Sequence, residues 1–173
     1  MLGLEAENKT CLQCPGTCCT YEANSMQVSP IEVHDILTYL KNNDLHRTEL
    51  KKKLEATVQT YRLDKMISTG RKSSLRRTYT CTFFNQKELG CALPREVKPY
   101  GCLAFNAHHH SIKAQEFCYS DQNLLEKDES NLNLIISKQW NLWWEKLPLP
   151  VALLDVWHKD LIDLSSADDQ ESN

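Results

Sequence analysis

Apolar residues recur at intervals of three and four in four stretches of the chain, and these stretches predict its helices. The first begins at Ser29-Pro30-Ile31-Glu32. Ser29 can cap the free amides, Pro30 suits the first helical position, and Glu32 can close a capping box. Ile36, Leu37 and Leu40 share one face, and Asn42-Asn43-Asp44 ends the helix. A second helix is predicted over 47–63, with Leu50, Leu54, Val58 and Tyr61 as its apolar stripe and Lys51, Lys52 and Lys53 as its solvated face. A third is predicted over 121–146, its apolar side drawn from Leu124, Leu125, Leu132, Ile135, Ile136, Trp140, Trp143 and Trp144, with Pro148 and Pro150 breaking it. The last covers 151–164, with Leu153, Leu154, Trp157 and Leu161 as a buried stripe.

Elsewhere the periodicity is lost. Residues 68–78 read as a polar, basic loop, and 79–84, Tyr-Thr-Cys-Thr-Phe-Phe, as a short strand. Gly90, Pro94, Pro99 and Gly101 keep the following segment irregular. Thiolates that converge on a metal need such sharp turns. The expected fold is mainly α: one domain of four to five helices with a small irregular or β cysteine-rich layer, organised around a cysteine metal centre. Residues 1–10 are expected to be a flexible N-terminus, 11–164 the domain, and 165–173 an acidic flexible tail.

Composition narrows the function. A formal net charge of −3 offers no general attraction to nucleic acid or anionic membrane, and neither partner is expected. No apolar run approaches the roughly 18 residues of a membrane helix. The opening residues lack the apolar core of a secretory signal, so the expected location is cytoplasmic. Thiols stay reduced there, and eight cysteines need an explanation other than disulfides.

Four of the eight lie within residues 11–19, as Cys11-x2-Cys14-x3-Cys18-Cys19. Two thiolates separated by two residues can face one metal across a tight turn, as in zinc ribbons and iron–sulfur proteins. Pro15 and Gly16 suit that turn. Adjacent side chains diverge, so Cys18 and Cys19 are not expected to ligate one metal atom together. The remaining ligands are then sought in Cys81, Cys91 and Cys102. Cys118 is a weaker candidate and reads equally as a buried thiol. Thiolate donors fit zinc and iron–sulfur clusters alike, and the number of ions stays open.

These motifs resemble, in order along residues 11–105, the YkgJ-type cysteine-cluster proteins, zinc- or iron-chelating domains with a CxxCxxCC-type motif. The similarity takes in the first cysteine block, Ser29-Pro30-x-Glu32, Cys81-Thr-Phe-Phe84, Gly90-Cys91, Lys98-Pro99-x2-Cys102 and Phe105. The family's usual Arg-Pro-x2-Cys element carries Lys98 here in place of arginine. The resemblance implies a metal-chelating domain or an iron–sulfur oxidoreductase. Longer members include flagellin lysine methylases, but this chain has no glycine-rich fingerprint for S-adenosylmethionine or a dinucleotide.

Other residues are weaker pointers. His108 and His110, within His108-His109-His110, could replace one thiolate, although an exposed polar loop is the favoured reading. Arg71, Lys72, Arg76 and Arg77 read as a solvated loop that also neutralises a nearby thiolate centre. Trp140, Trp143, Trp144 and Trp157 read as helix packing, with one of the adjacent pair Trp143 and Trp144 left exposed. No catalytic constellation is legible. The expected function is a metal-binding protein holding zinc or an iron–sulfur centre. The alternatives are a redox protein or accessory enzyme of protein modification, and a metal-stapled scaffold for a protein partner.

Overall fold

The computed structural model describes residues 16–45, 48–65, 67–68, 74–85, 90–104, 127, 129–159 and 161. Five α-helices are described: α1 (Pro30–Asn42), α2 (Thr48–Tyr61), α3 (Tyr100–Ala104), α4 (Ser130–Gln139) and α5 (Leu149–His158). The strands are two-residue pieces: β1 (Gln27–Val28), β2 (Ile67–Ser68), β3 (Ser74–Leu75), β4 (Phe84–Asn85), β5 (Gly90–Cys91) and β6 (Leu147–Pro148). They form three separate antiparallel ribbons, β1 with β6, β2 with β3 and β4 with β5. The fold is mainly α-helical.

The β1–β6 ribbon pairs Gln27 with Pro148 and Val28 with Leu147. It therefore sets the starts of α1 and α5 side by side. α5 packs against both α1 and α2, and α4 packs against α1. Ile36 and Val33 of α1, Leu54 of α2 and Leu153 of α5 are wholly buried. Each large aliphatic side chain so buried contributes roughly 1.5–3 kcal/mol.

Tyr79 stands where these elements meet and is fully buried. Its hydroxyl donates to the Met26 carbonyl at 2.5 Å and accepts from the Leu149 amide at 3.1 Å. That amide is one of the donors a helix start leaves unsatisfied. One phenol thus ties the approach to β1 to the first residue of α5.

The first two helices follow their predicted bounds closely. Arg62, at φ 51°, closes α2 in the left-handed region. The later elements depart from prediction for identifiable reasons. α4 ends at Gln139, with Trp140 as its C-cap and Asn141 at φ 48°, so residues 140–146 are not helical. Its inward face is Asn133, Ile136, Ser137 and Trp140; Asn133 accepts the Ile31 amide at 3.2 Å. Leu132 and Ile135 therefore face outward, exposed to 52% and 58%. Trp143 is 73% exposed and Trp144 5%, the latter donating from Nε1 to Asp155 at 2.9 Å. Pro150 does not break a helix but lies in the first turn of α5, where no amide donor is required. Within the predicted basic loop, Ile67 pairs with Leu75 and Ser68 with Ser74. Residues 1–10, 165–173, Leu124 and Leu125 lie outside the described residues.

Tyr79→Phe is expected to cost about 1–3 kcal/mol, because it leaves the Leu149 amide and the Met26 carbonyl buried without their partner. Urea denaturation of the two proteins measures it.

Candidate metal centre

The N-terminal cysteine block is seated on the second by main-chain hydrogen bonds. Cys19 N–H donates to the Gly16 carbonyl at 2.7 Å and closes the short 3-10 turn Thr17–Cys19. The Cys19 carbonyl then accepts the Cys81 amide at 2.7 Å. Further along, the Asn24 carbonyl accepts the Tyr79 amide at 2.9 Å, and the Asn24 side chain donates to the Tyr79 carbonyl at 2.9 Å. The other end of that amide, Asn24 Oδ1, accepts the Met26 amide at 3.0 Å. These bonds pin the block to Tyr79–Cys81, which runs extended but joins no strand ladder. The predicted 79–84 strand is interrupted there, because the chain turns at Thr82–Phe83, where the Phe84 amide returns to the Cys81 carbonyl.

Gly16 makes the close approach possible. Its φ is +75°, and a Cβ there would lie 2.5 Å from Cε2 and Cζ of the Phe84 ring. Both the backbone conformation and the aromatic contact require glycine.

Cys91 lies on β5, where it pairs with Phe84. Cys102 lies on α3, whose start is held from a distance. Glu32, only 4% exposed, accepts the Ser29 amide at 2.6 Å and the Ser29 hydroxyl at 2.8 Å through Oε2, and the Tyr100 amide at 2.7 Å through Oε1. One buried carboxylate therefore serves the starts of both α1 and α3, and acceptance from amides at two helix starts is favourable. Pro99, the residue before α3, is wholly buried.

This scaffold gathers four thiols. Burial, first, pushes the Cys81 thiol up to about 12; Cys91 and Cys18 push the same way, and a hydrogen bond from the Phe83 backbone and the Lys53 charge oppose them. Cys102 is held well above the usual thiol range by burial, then by Cys81, Cys91 and Cys18, with Lys98 opposing. Burial and the nearby Cys81 and Cys102 also raise Tyr79, which the Leu149 amide counters. Cys18 and Cys91 thus both lie within electrostatic reach of Cys81 and of Cys102, which brings together one thiol from the first block and three from the second. Cys19 is not among the charges felt by Cys81 or Cys102, although its backbone carries the link to Cys81. All five of these cysteines are thiols, not disulfides.

Electrostatic reach is longer than a metal–ligand bond. Among the described residues, no three His, Cys, Asp or Glu donors are placed to hold a metal ion as they stand. The donor chemistry fits a thiolate-bound metal; a closed coordination shell is not formed by the described side chains. Cys11, Cys14, Cys118, His108, His109 and His110 lie outside the described residues, as do Arg71, Lys72 and Phe105.

Some site residues carried more than their sequence pattern implied. Glu32 reads as a helix cap, and nothing local announces its bond to Tyr100. Lys53 reads as solvated, yet its charge reaches Cys81. Lys98 acts on Cys102 through charge alone, which needs no guanidinium fork. No protein-family model, curated protein or solved structure matches the chain.

Gly16→Ala is expected to cost more than about 2 kcal/mol through left-handed strain and the clash with Phe84. Thermal denaturation measures the loss. Limited proteolysis should also cut residues 16–24 faster in the variant. A second expectation concerns pH in metal-free protein. Cys81 is raised from 9.0 to about 12 on folding, so the folded state holds its proton more tightly. The resulting stability is fully present below pH 9.0 and is lost as pH rises through about 12. Cys81→Ser should flatten that alkaline decline in melting temperature. An unchanged slope would show that the Cys81 thiol titrates as it does in the unfolded chain.

Proposed function

We propose that the chain is a metal-binding protein whose thiolates, drawn from both cysteine blocks, hold zinc or an iron–sulfur cluster. The observation that carries this reading is that Cys81 and Cys102 each feel Cys18 and Cys91, all four half-buried, across about 60 residues of intervening chain. The resemblance to the YkgJ-type cysteine-cluster proteins points the same way and rests on the motifs alone. Cys11 and Cys14, five and two residues before Gly16, are the further donors assigned to the centre.

The chain's own residues supply the conditions for such a centre. The Cys81–Cys19 and Tyr79–Asn24 bonds hold the blocks together before any ligand bond forms. Glu32 fixes the helix that bears Cys102. Lys53 and Lys98 offset part of the thiolate charge. Burial keeps Cys81 and Cys102 protonated at neutral pH, so loading must release protons and should strengthen with rising pH. Bound zinc would supply folding energy, and a cluster would also pass electrons.

A metal-stapled interaction scaffold is a second reading. It is favoured by one observation: Leu132, Leu134, Ile135 and Trp143 are all largely exposed. The described helices include none long and apolar enough to cross a membrane.

The deciding experiment is anaerobic purification followed by a visible spectrum and assays for iron, sulfide and zinc. A colourless protein with stoichiometric zinc assigns a zinc site, and a brown one with matching iron and sulfide assigns a cluster. Cys11→Ser, Cys14→Ser, Cys81→Ser and Cys102→Ser should each lower metal content and melting temperature. A folded, metal-free wild-type protein that takes up neither zinc nor iron would refute the proposal.

A further inference from the structure

Lys53, Thr57, Thr60 and Tyr61 recur on one face of α2, at helical spacings of four, three and one. With Thr80 and Thr82 of the facing extended run they line a groove of about 530 Å3. That volume falls in the range of metabolite sites. Two hydroxyl pairs span from helix to extended run: Thr82 donates to Thr57 at 3.3 Å, and Tyr61 donates to Thr80 at 2.9 Å. The walls are therefore fixed relative to each other before a ligand arrives, which lowers the ordering cost of binding.

The lining is rich in unspent donors. Thr57 gives its own proton to the Lys53 carbonyl at 2.9 Å. Thr80 accepts from Tyr61, so its hydroxyl proton has no acceptor among the described residues. The Thr60 hydroxyl and the Lys53 ammonium are without hydrogen-bonding or ion-pair partners among them as well. Among the described residues the lining contains no carboxylate. Arg77 adds positive charge at the other end: its Nη1 donates to the Tyr61 carbonyl at 3.2 Å, and its Nε is buried with no partner.

We propose that this groove binds a small organic oxyanion, phosphorylated or carboxylated, paired with the Lys53 ammonium and hydrogen-bonded by the Thr80 and Thr60 hydroxyls. A charge-assisted bond to the ammonium supplies most of the attraction, and the hydroxyls orient the anion. Cys81 also lines the groove, so the site borders the candidate metal centre, but the anion's partners are Lys53, Thr60 and Thr80 and none of them is a metal ligand.

The test is calorimetric titration of the full chain with sodium phosphate and, separately, sodium succinate, each against sodium chloride of equal ionic strength. Saturable binding of at least one anion is expected, and the arm that binds identifies the head group. Lys53 is exposed, so Lys53→Met should leave the circular dichroism spectrum unchanged while weakening binding about tenfold or more. Thr80→Val should weaken it several-fold. Saturation by neither anion, or equal affinity in Lys53→Met, would overturn the proposal.

Discussion

The docking of residues 16–24 onto Tyr79–Cys81 is the constraint on which the rest of the molecule depends. It joins segments some 60 residues apart, and closing so long a loop costs several kcal/mol of chain entropy before any contact is gained. The return comes from backbone bonds at both ends of the contact, from a buried asparagine whose amide is used at both its oxygen and its nitrogen, and from the Phe84 ring lying on Gly16. Without this seating, Cys18 would have no reason to be near Cys81, Cys91 or Cys102. The helices alone do not require it, because α1, α2 and α5 share a core built from their own aliphatic faces.

Glu32 and Tyr79 connect that seam to the helical core. Tyr79 bonds to Asn24 through its backbone and to Met26 and Leu149 through its hydroxyl. Glu32 gives α1 its cap and α3 its anchor. Both are polar groups buried with several partners, the condition under which burial of polarity stabilises a unique arrangement. The positions of the thiols are thus inherited from a hydrogen-bonded frame, and a perturbation of either residue reaches the cysteines through one or two bonds.

Much of the helical frame was legible in the sequence because its signals are local. The Ser29-Pro30-x-Glu32 start and the Leu50–Leu54–Val58 spacing each state their own helix. α4 was misread in length and orientation because its inward face is set by Asn133, a polar residue that a hydrophobic count ignores, and because a left-handed residue at Asn141 leaves no strong local mark. Pro150 reads as a breaker in the sequence, yet the same ring fits the first turn of a helix. At the site, the cysteine spacing pointed to a bridge between blocks. It could not show that Cys19 contributes its carbonyl to that bridge while Cys18 contributes its charge, nor that Lys53, three residues into a basic run, faces Cys81. Those facts depend on which long-range backbone bonds form.

The same burial bears on the kind of chemistry open to the cysteines. A thiol attacks as its thiolate, and Cys81 and Cys102 are held far on the neutral side by desolvation and by each other. Lys53 and Lys98 only partly offset this. A redox thiol or a nucleophilic enzyme requires the opposite setting, a lowered pKa in an electropositive and open place. What converts several buried, mutually repelling thiols into thiolates at neutral pH is a multivalent cation placed among them, since its charge acts on all of them at once. The electrostatics of Cys81 and Cys102 therefore argue against free-thiolate chemistry at neutral pH, and the metal proposal is consistent with them.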